Sequence, residues 1–193
     1  MENNLELRMY GLVPYNISPI QQAIQFGHAV VEYGQMAKKS PLSEIYDDWA
    51  DRWKTFIILN GGTSNHSQNR YHEGEFEGTM EGHLAALEEM QIEIAAFYEP
   101  DLNDMLSAVV FIVDERAFNR KLYPDFGDWI MENHYSYLAD NMINSNKIER
   151  MRLEGHFERG SETERRLYAE WSELVGGKKN VFLRDYLKNF RLA

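Results

Sequence analysis

Six consecutive apolar residues, Ala108 to Val113 (AVVFIV), carry no polar alternation. A strand built this way is buried on both faces and needs a covering layer on each side, which points to the central strand of an α/β sheet. Three more segments fit around it. Leu5 to Val13 alternates Leu5, Leu7 and Met9 as a strand would, Thr55 to Leu59 (TFIIL) reads as a buried strand closed by the turn signal Asn60-Gly61-Gly62, and Ile92 to Phe97 reads as another. Helical patterns lie between them: Ile17 to Tyr33, a short helix suggested by Ser43 with Tyr46, Trp49 and Trp53, and a helix opened by Thr79 with Met80, Leu84 and Leu87. The order strand–helix–strand–helix–strand–strand predicts an α/β domain of two or three layers, with flanking helices on a mixed four-stranded sheet. It ends near Glu115, so residues 1–115 form the α/β domain and residues 116–193 a helical extension.

The first helix has the clearest local grammar. Ser18 suits the N-cap, Pro19 the first helical position, and Gln21 completes a capping box with Ser18. Ile20, Ile24, Gly27 and Val31 then make one apolar face, while Gln21, Gln25, His28 and Glu32 form a polar row at the same spacing. In the extension, Ser161 and Glu164 have capping-box spacing ahead of Leu167, Trp171, Leu174 and Val175, and Gly176-Gly177 stops that helix. Leu183, Tyr186, Leu187 and Phe190 give a last amphipathic helix, with less regular ones expected at Trp129 to Met142 and Ile148 to Leu153.

Charge is unevenly placed. Residues 1–115 hold 6 Lys/Arg against 19 Asp/Glu, a net of −13, whereas residues 116–193 carry a net of +2. Nucleic-acid binders draw on Lys and Arg for each phosphate contact, and the first segment lacks that footprint. In the second, Arg150/Arg152, Arg165/Arg166 and Lys178/Lys179 read as a solvated helix face. The chain contains no cysteine, which excludes disulfides, thiolate catalysis and cysteine-ligated zinc. No apolar run is long enough to span a bilayer, and MENNLELR lacks the order of a secretory signal, so a cytoplasmic setting is expected.

The polar row Gln21/Gln25/His28 is the first candidate for chemistry, because a histidine on a helix face can act as acid, base or ligand. The turn Glu99-Pro100-Asp101-Leu102-Asn103 is the second, with Ser107 opening the central strand. His66, His72 and His83 with Glu73, Glu75 and Glu77 fit no tight ligand motif, so no metal is expected. Asn60-Gly61-Gly62-Thr63-Ser64 lacks the Lys of a phosphate loop and reads as a turn, and no cofactor motif is present.

Taken in register, residues 5–113 resemble the archaeal and eukaryotic type (type II) of peptidyl-tRNA hydrolase. The family's helix opening, SPGKxAxQxxHA, corresponds to Ser18-Pro19-Ile20-Gln21-Gln22-Ala23-Ile24-Gln25-Phe26-Gly27-His28-Ala29, and its Trp and Lys-led strand to Trp53-Lys54-Thr55-Phe56-Ile57-Ile58-Leu59. Its acidic turn and Thr-led last strand correspond to Glu99 to Val113, with Ser107 where a Thr is expected. The resemblance implies hydrolysis of the ester joining a peptide to tRNA. Asp101 or Glu99 would position water, His28 or Gln25 would orient it, Ser107 would bond the ester carbonyl, and Gln21, Gln25 and Asn103 would contact substrate. The family's helix Lys is Gln21 here, which removes a cation from a site dedicated to a polyanion. An alternative implication is a non-catalytic binding or assembly role for the same fold, with tRNA a weak partner and residues 116–193 the surface for a protein partner or self-association. Proteins with this divergent pattern look like those of large bacteriophages.

Overall fold

The computed structural model describes residues 5–64, 79–133 and 162–193. Its sheet is open, mixed and four-stranded, in the order β2-β1-β4-β3, built from β1 (Leu7–Val13), β2 (Thr55–Asn60), β3 (Ile94–Glu99) and β4 (Met105–Asp114). β1 runs parallel to β2, and β4 runs antiparallel to both β1 and β3. The uninterrupted apolar run therefore occupies an interior strand, where Ala108, Val109, Val110 and Phe111 are all fully buried. The first unit thus belongs to the α/β class.

Around the sheet stand α1 (Pro19–Ala37), α2 (Ser43–Asp48) and α3 (Thr79–Glu89). The short second helix continues as one π-helical turn, Trp49–Trp53, and ends at Lys54 in the left-handed region (φ 51°). α1 starts on the expected capping box, with Pro19 at the first helical position. It packs on β4, β3 and β1, and its buried positions are Gln25, Phe26, Ala29, Tyr33, Gly34 and Ala37. Phe26 lies directly on Gly11 of β1, where a Cβ would collide with its ring. α3 packs against β3 and β4 and buries Met80 and Leu87.

Two expectations are corrected. The stripe Ile20, Ile24, Gly27 and Val31 faces solvent, because the helix is rolled to bury Phe26, Ala29 and Tyr33 instead. β2 is a partly exposed edge strand rather than a buried one, with Phe56 48% exposed and only Leu59 buried. Its outer edge is covered by the last residues of the chain. Asn60 donates to the Arg191 carbonyl and Ala193 to the Ile58 carbonyl, both at 3.0 Å, with Leu59 opposite Leu192 in antiparallel pairing.

The chain divides into two units. The first comprises residues 1–115 and 182–193, and the second residues 116–181. The last twelve residues thus belong to the α/β unit. Described helices after β4 are α4 (Glu115–Phe118), α5 (Phe126–Asn133), α6 (Glu162–Leu174) and α7 (Gly177–Tyr186), followed by a 3-10 turn, Leu187–Asn189. Trp129, Ile130, Leu167, Trp171 and Val175 form the core of the second unit, and the Trp171 indole donates to the Pro124 carbonyl at 3.0 Å. Gly176 and Gly177 take φ of 96° and 84°, which ends α6 where the glycine pair predicts. Ser161 and residues 134–160, including Ile148 to Leu153, lie outside the described residues, as do His66, His72, Glu73, Glu75 and Glu77. Among the described residues no helix is long and apolar enough to cross a membrane.

Candidate functional site

α1 lies across β3 and β4, and that crossing brings four of the sequence candidates together. Gln25 is buried against the sheet, 4% exposed. Its amide nitrogen donates to the Glu99 carboxylate (Oε2) at 2.6 Å, and its carbonyl oxygen accepts from the Ser107 hydroxyl at 3.2 Å. The same hydroxyl lies 3.1 Å from the Phe97 carbonyl, so its one proton faces two acceptors. Pairing fixes the amide orientation: nitrogen toward the carboxylate, oxygen toward the hydroxyl.

A bulge places Ser107. Phe97 pairs with Ala108 but Tyr98 pairs with Leu106, leaving Ser107 as the extra residue on β4. An extra residue of this kind bends the strand and re-aims a side chain. Here it sends the Ser107 hydroxyl to α1, as its bond to Gln25 records.

Glu99 ends β3 and caps the short 3-10 turn Pro100–Leu102, accepting from the Asp101 N–H through Oε1 at 3.2 Å. Its other oxygen stands 4.0 Å from Nδ1 of His28. The carboxylate side chain is 12% exposed and the imidazole 49%. The His28 ring also leans edge-on against Phe97, with centroids 4.7 Å apart. The arrangement is a graded series from a buried serine, through a buried amide and a nearly buried carboxylate, to a half-exposed imidazole.

The other candidates stand apart. Gln21 is turned back on its own helix start, where its side-chain oxygen accepts from the Ser18 N–H at 3.1 Å and from the Ser18 hydroxyl at 3.0 Å. Asp101 is exposed and joins the site only through its backbone N–H. Asn103 is exposed in the left-handed region (φ 57°) and its N–H closes the turn onto Pro100. The polar row on α1 is therefore split: Gln25 goes inward, His28 lies at the margin and Glu32 faces solvent. Phe97, which contributes both a carbonyl and an aromatic wall, was not a sequence candidate. Its only signal was its place opposite the start of the central strand.

The Asn60 to Ser64 stretch is a tied turn. The Gly61 N–H goes to Val13, Gly62 to the Asn60 side chain, Thr63 to the Thr79 hydroxyl and Ser64 to the Asn16 side chain. With all four donors engaged internally, no cradle for an anion is left. His83 packs on Tyr186 and Phe190, with centroids 5.7 and 4.8 Å away. Burial pushes its pKa below the ordinary value. No group of three metal-ligating side chains comes together among the described residues.

Chemically, His28 and Glu99 stand at ion-pair distance, 4.0 Å apart and beyond hydrogen-bond reach. Ser107, with no exposed surface, is not presented to a substrate. Neither residues 9–37 nor residues 71–115, which supply α1, α3, β3 and β4, contain a Lys or Arg to meet a developing negative charge. No protein-family profile matches the chain, and no curated protein sequence matches it.

Proposed function

We propose that the α/β unit is a divergent version of the type II peptidyl-tRNA hydrolase fold that serves as a binding or assembly component rather than as a hydrolase. The observation that carries this reading is the fate of the residue standing where the family has its Lys. Gln21 is uncharged and closed into the capping box with Ser18. Ester hydrolysis needs stabilisation of an oxyanion, and the interactions that supply it normally contribute more to such catalysis than any other effect. Ser107 and Gln25 satisfy each other inside the fold, so they read as a tie between helix and sheet.

A second reading, a surviving ester hydrolase, is favoured by one observation: Glu99 is held by two donors beside a half-exposed His28. In that case His28 would take the proton of an attacking water and Glu99 would orient the ring. The experiment that separates the two is release of the N-acetyl-amino acid from an N-acetyl-aminoacyl-tRNA by the full chain, beside a His28→Ala/Glu99→Gln double variant. The expected result is no release above that of the variant. Release that falls at least about tenfold in the variant would overturn the non-catalytic reading and install the second.

A further inference from the structure

The grip of the α/β unit on the end of the chain changes between Arg184 and Asp185. Leu183 and Arg184 of α7 are buried, yet from Asp185 to Ala193 no residue is, and Leu192 is 73% exposed. Two contacts seat this end. Arg191 to Ala193 bridge to Ile58 and Asn60 through two backbone hydrogen bonds. Ahead of that bridge, Tyr186 and Phe190 close on the His83 ring of α3 and meet each other edge to face, with centroids 4.9 Å apart. Phe182 stacks on Tyr186 from the preceding turn.

The ring seat is poorly matched in polarity. The Tyr186 hydroxyl is buried without a hydrogen-bond partner, which costs the closed arrangement stability. His83 is half-buried and makes no hydrogen bond and no ion pair among the described residues. Burial alone moves its pKa, downward, and no neighbouring charge opposes the shift. Carboxylates on both elements are turned elsewhere. Glu81 of α3 accepts from the Ser64 hydroxyl at 3.1 Å, and Asp185 pairs with Lys188 at 2.9 Å. Tyr186, which faces the imidazole, stays neutral because burial raises its pKa. An imidazolium here would lie against two rings with no acceptor in reach.

We propose that Tyr186–Ala193 is a proton-sensitive strap, closed over α3 and the edge of β2 while His83 is neutral and released when His83 takes up a proton. Leu183 and Arg184 stay anchored. Release bares the Asn60 N–H and the Ile58 carbonyl, an edge on which another strand can pair. With the strap open, His83 meets water and its pKa returns toward about 6.5, so the open form binds the proton more tightly. Opening therefore grows as pH falls from that value through the lower one of the closed form. The device goes beyond the binding reading of this unit and holds whether or not the unit hydrolyses an ester.

Amide exchange of the full chain at about pH 7.5 and about pH 5.5, corrected for the chemical rate, reads the strap at Asn60. The neighbouring Gly61, whose N–H is bonded to the Val13 carbonyl, is the internal control. Asn60 protection is expected to fall at least about threefold at the lower pH while that of Gly61 holds. In His83→Phe, which keeps a ring on Tyr186 and Phe190, the fall at Asn60 should vanish. His83→Gln takes its place should His83→Phe lower the thermal midpoint at the higher pH. Tyr186→Phe deletes the unpartnered hydroxyl and should raise Asn60 protection at both pH values; a loss there would show a well-matched seat and overturn the proposal. Equal falls at Asn60 and Gly61 would be general acid unfolding and overturn it too. So would a fall that persists without the imidazole, or protection that rises at acid pH, the result if the ring faces held the imidazolium.

Discussion

Gln25 carries the most at the scale of single residues, because one amide serves a hydroxyl on one side and a carboxylate on the other. Gln25→Leu would keep the helix and most of the volume while stripping Glu99 of a donor and Ser107 of an acceptor. Leaving buried polar groups unsatisfied costs about 1–3 kcal/mol, and the urea midpoint should fall accordingly. An unchanged midpoint would show that the series Ser107–Gln25–Glu99 is not a structural tie. His83 makes a second prediction with a definite sign. Burial lowers its pKa in the folded protein below that of the unfolded chain, so between the two values the unfolded state binds more protons. Its contribution is therefore intact above the unfolded value of about 6.5 and declines as pH falls through the folded one. Urea midpoints taken at about pH 7.5 and about pH 5 should differ more for the wild type than for His83→Phe, which keeps a ring against Tyr186 and Phe190 and removes the titration.

At the scale of elements, the interior strand and the start of α1 were legible because their causes are local. AVVFIV needs no partner to announce double burial, and Ser18-Pro19-Ile20-Gln21 caps itself. The roll of α1 was not legible, since periodicity alone assigns Ile20, Ile24 and Val31 to the core and Gln25 to solvent. Gln25 can go inside only because its partners arrive from 82 and 74 residues away, one of them through a bulge that no local pattern reveals. For the same reason Gln25, His28, Glu99 and Ser107 could be named from the sequence but not separated from Gln21, Asp101 and Asn103. β2 looked buried because TFIIL records hydrophobicity and not position in the sheet. Packing of α1 on the sheet also depends on a residue with no side chain. Gly11→Ala would drive a methyl into the Phe26 ring, and overpacking of this kind costs about 1–3 kcal/mol, read as a lowered urea midpoint. A midpoint within error of wild type would mean that Phe26 can retreat and that the seat of α1 is not set there.

For the molecule as a whole, the consequential fact is that the polypeptide leaves the α/β unit at Glu115 and rejoins it at Phe182. The returning segment is no loose tail. Leu183 and Arg184 are 3% and 1% exposed, Tyr186 and Phe190 meet His83, and Arg191 to Ala193 close the edge of β2. A buried arginine so near the end of a chain is something composition would assign to the surface. Uncovered edge strands recruit other strands, so a segment that bridges to one also guards against edge-to-edge association. A chain ending at Glu115 would lack all of this and is expected to lose about 2 kcal/mol or more, since truncating a single buried leucine such as Leu183 already costs about 2–5 kcal/mol. It should also self-associate through the bared edge of β2. A chain in which residues 116–181 alone are replaced by a flexible linker keeps the returning segment and should stay monomeric at the same concentration. Amide exchange at Asn60, whose N–H is bonded to the Arg191 carbonyl, reports the difference directly. Protection should survive in the linker version and fall by at least about tenfold in the shortened one. Equal protection in both would mean that the bridge made by the last residues contributes nothing to the sheet in solution. It would also mean that self-association of the shortened chain arises from a surface other than that edge.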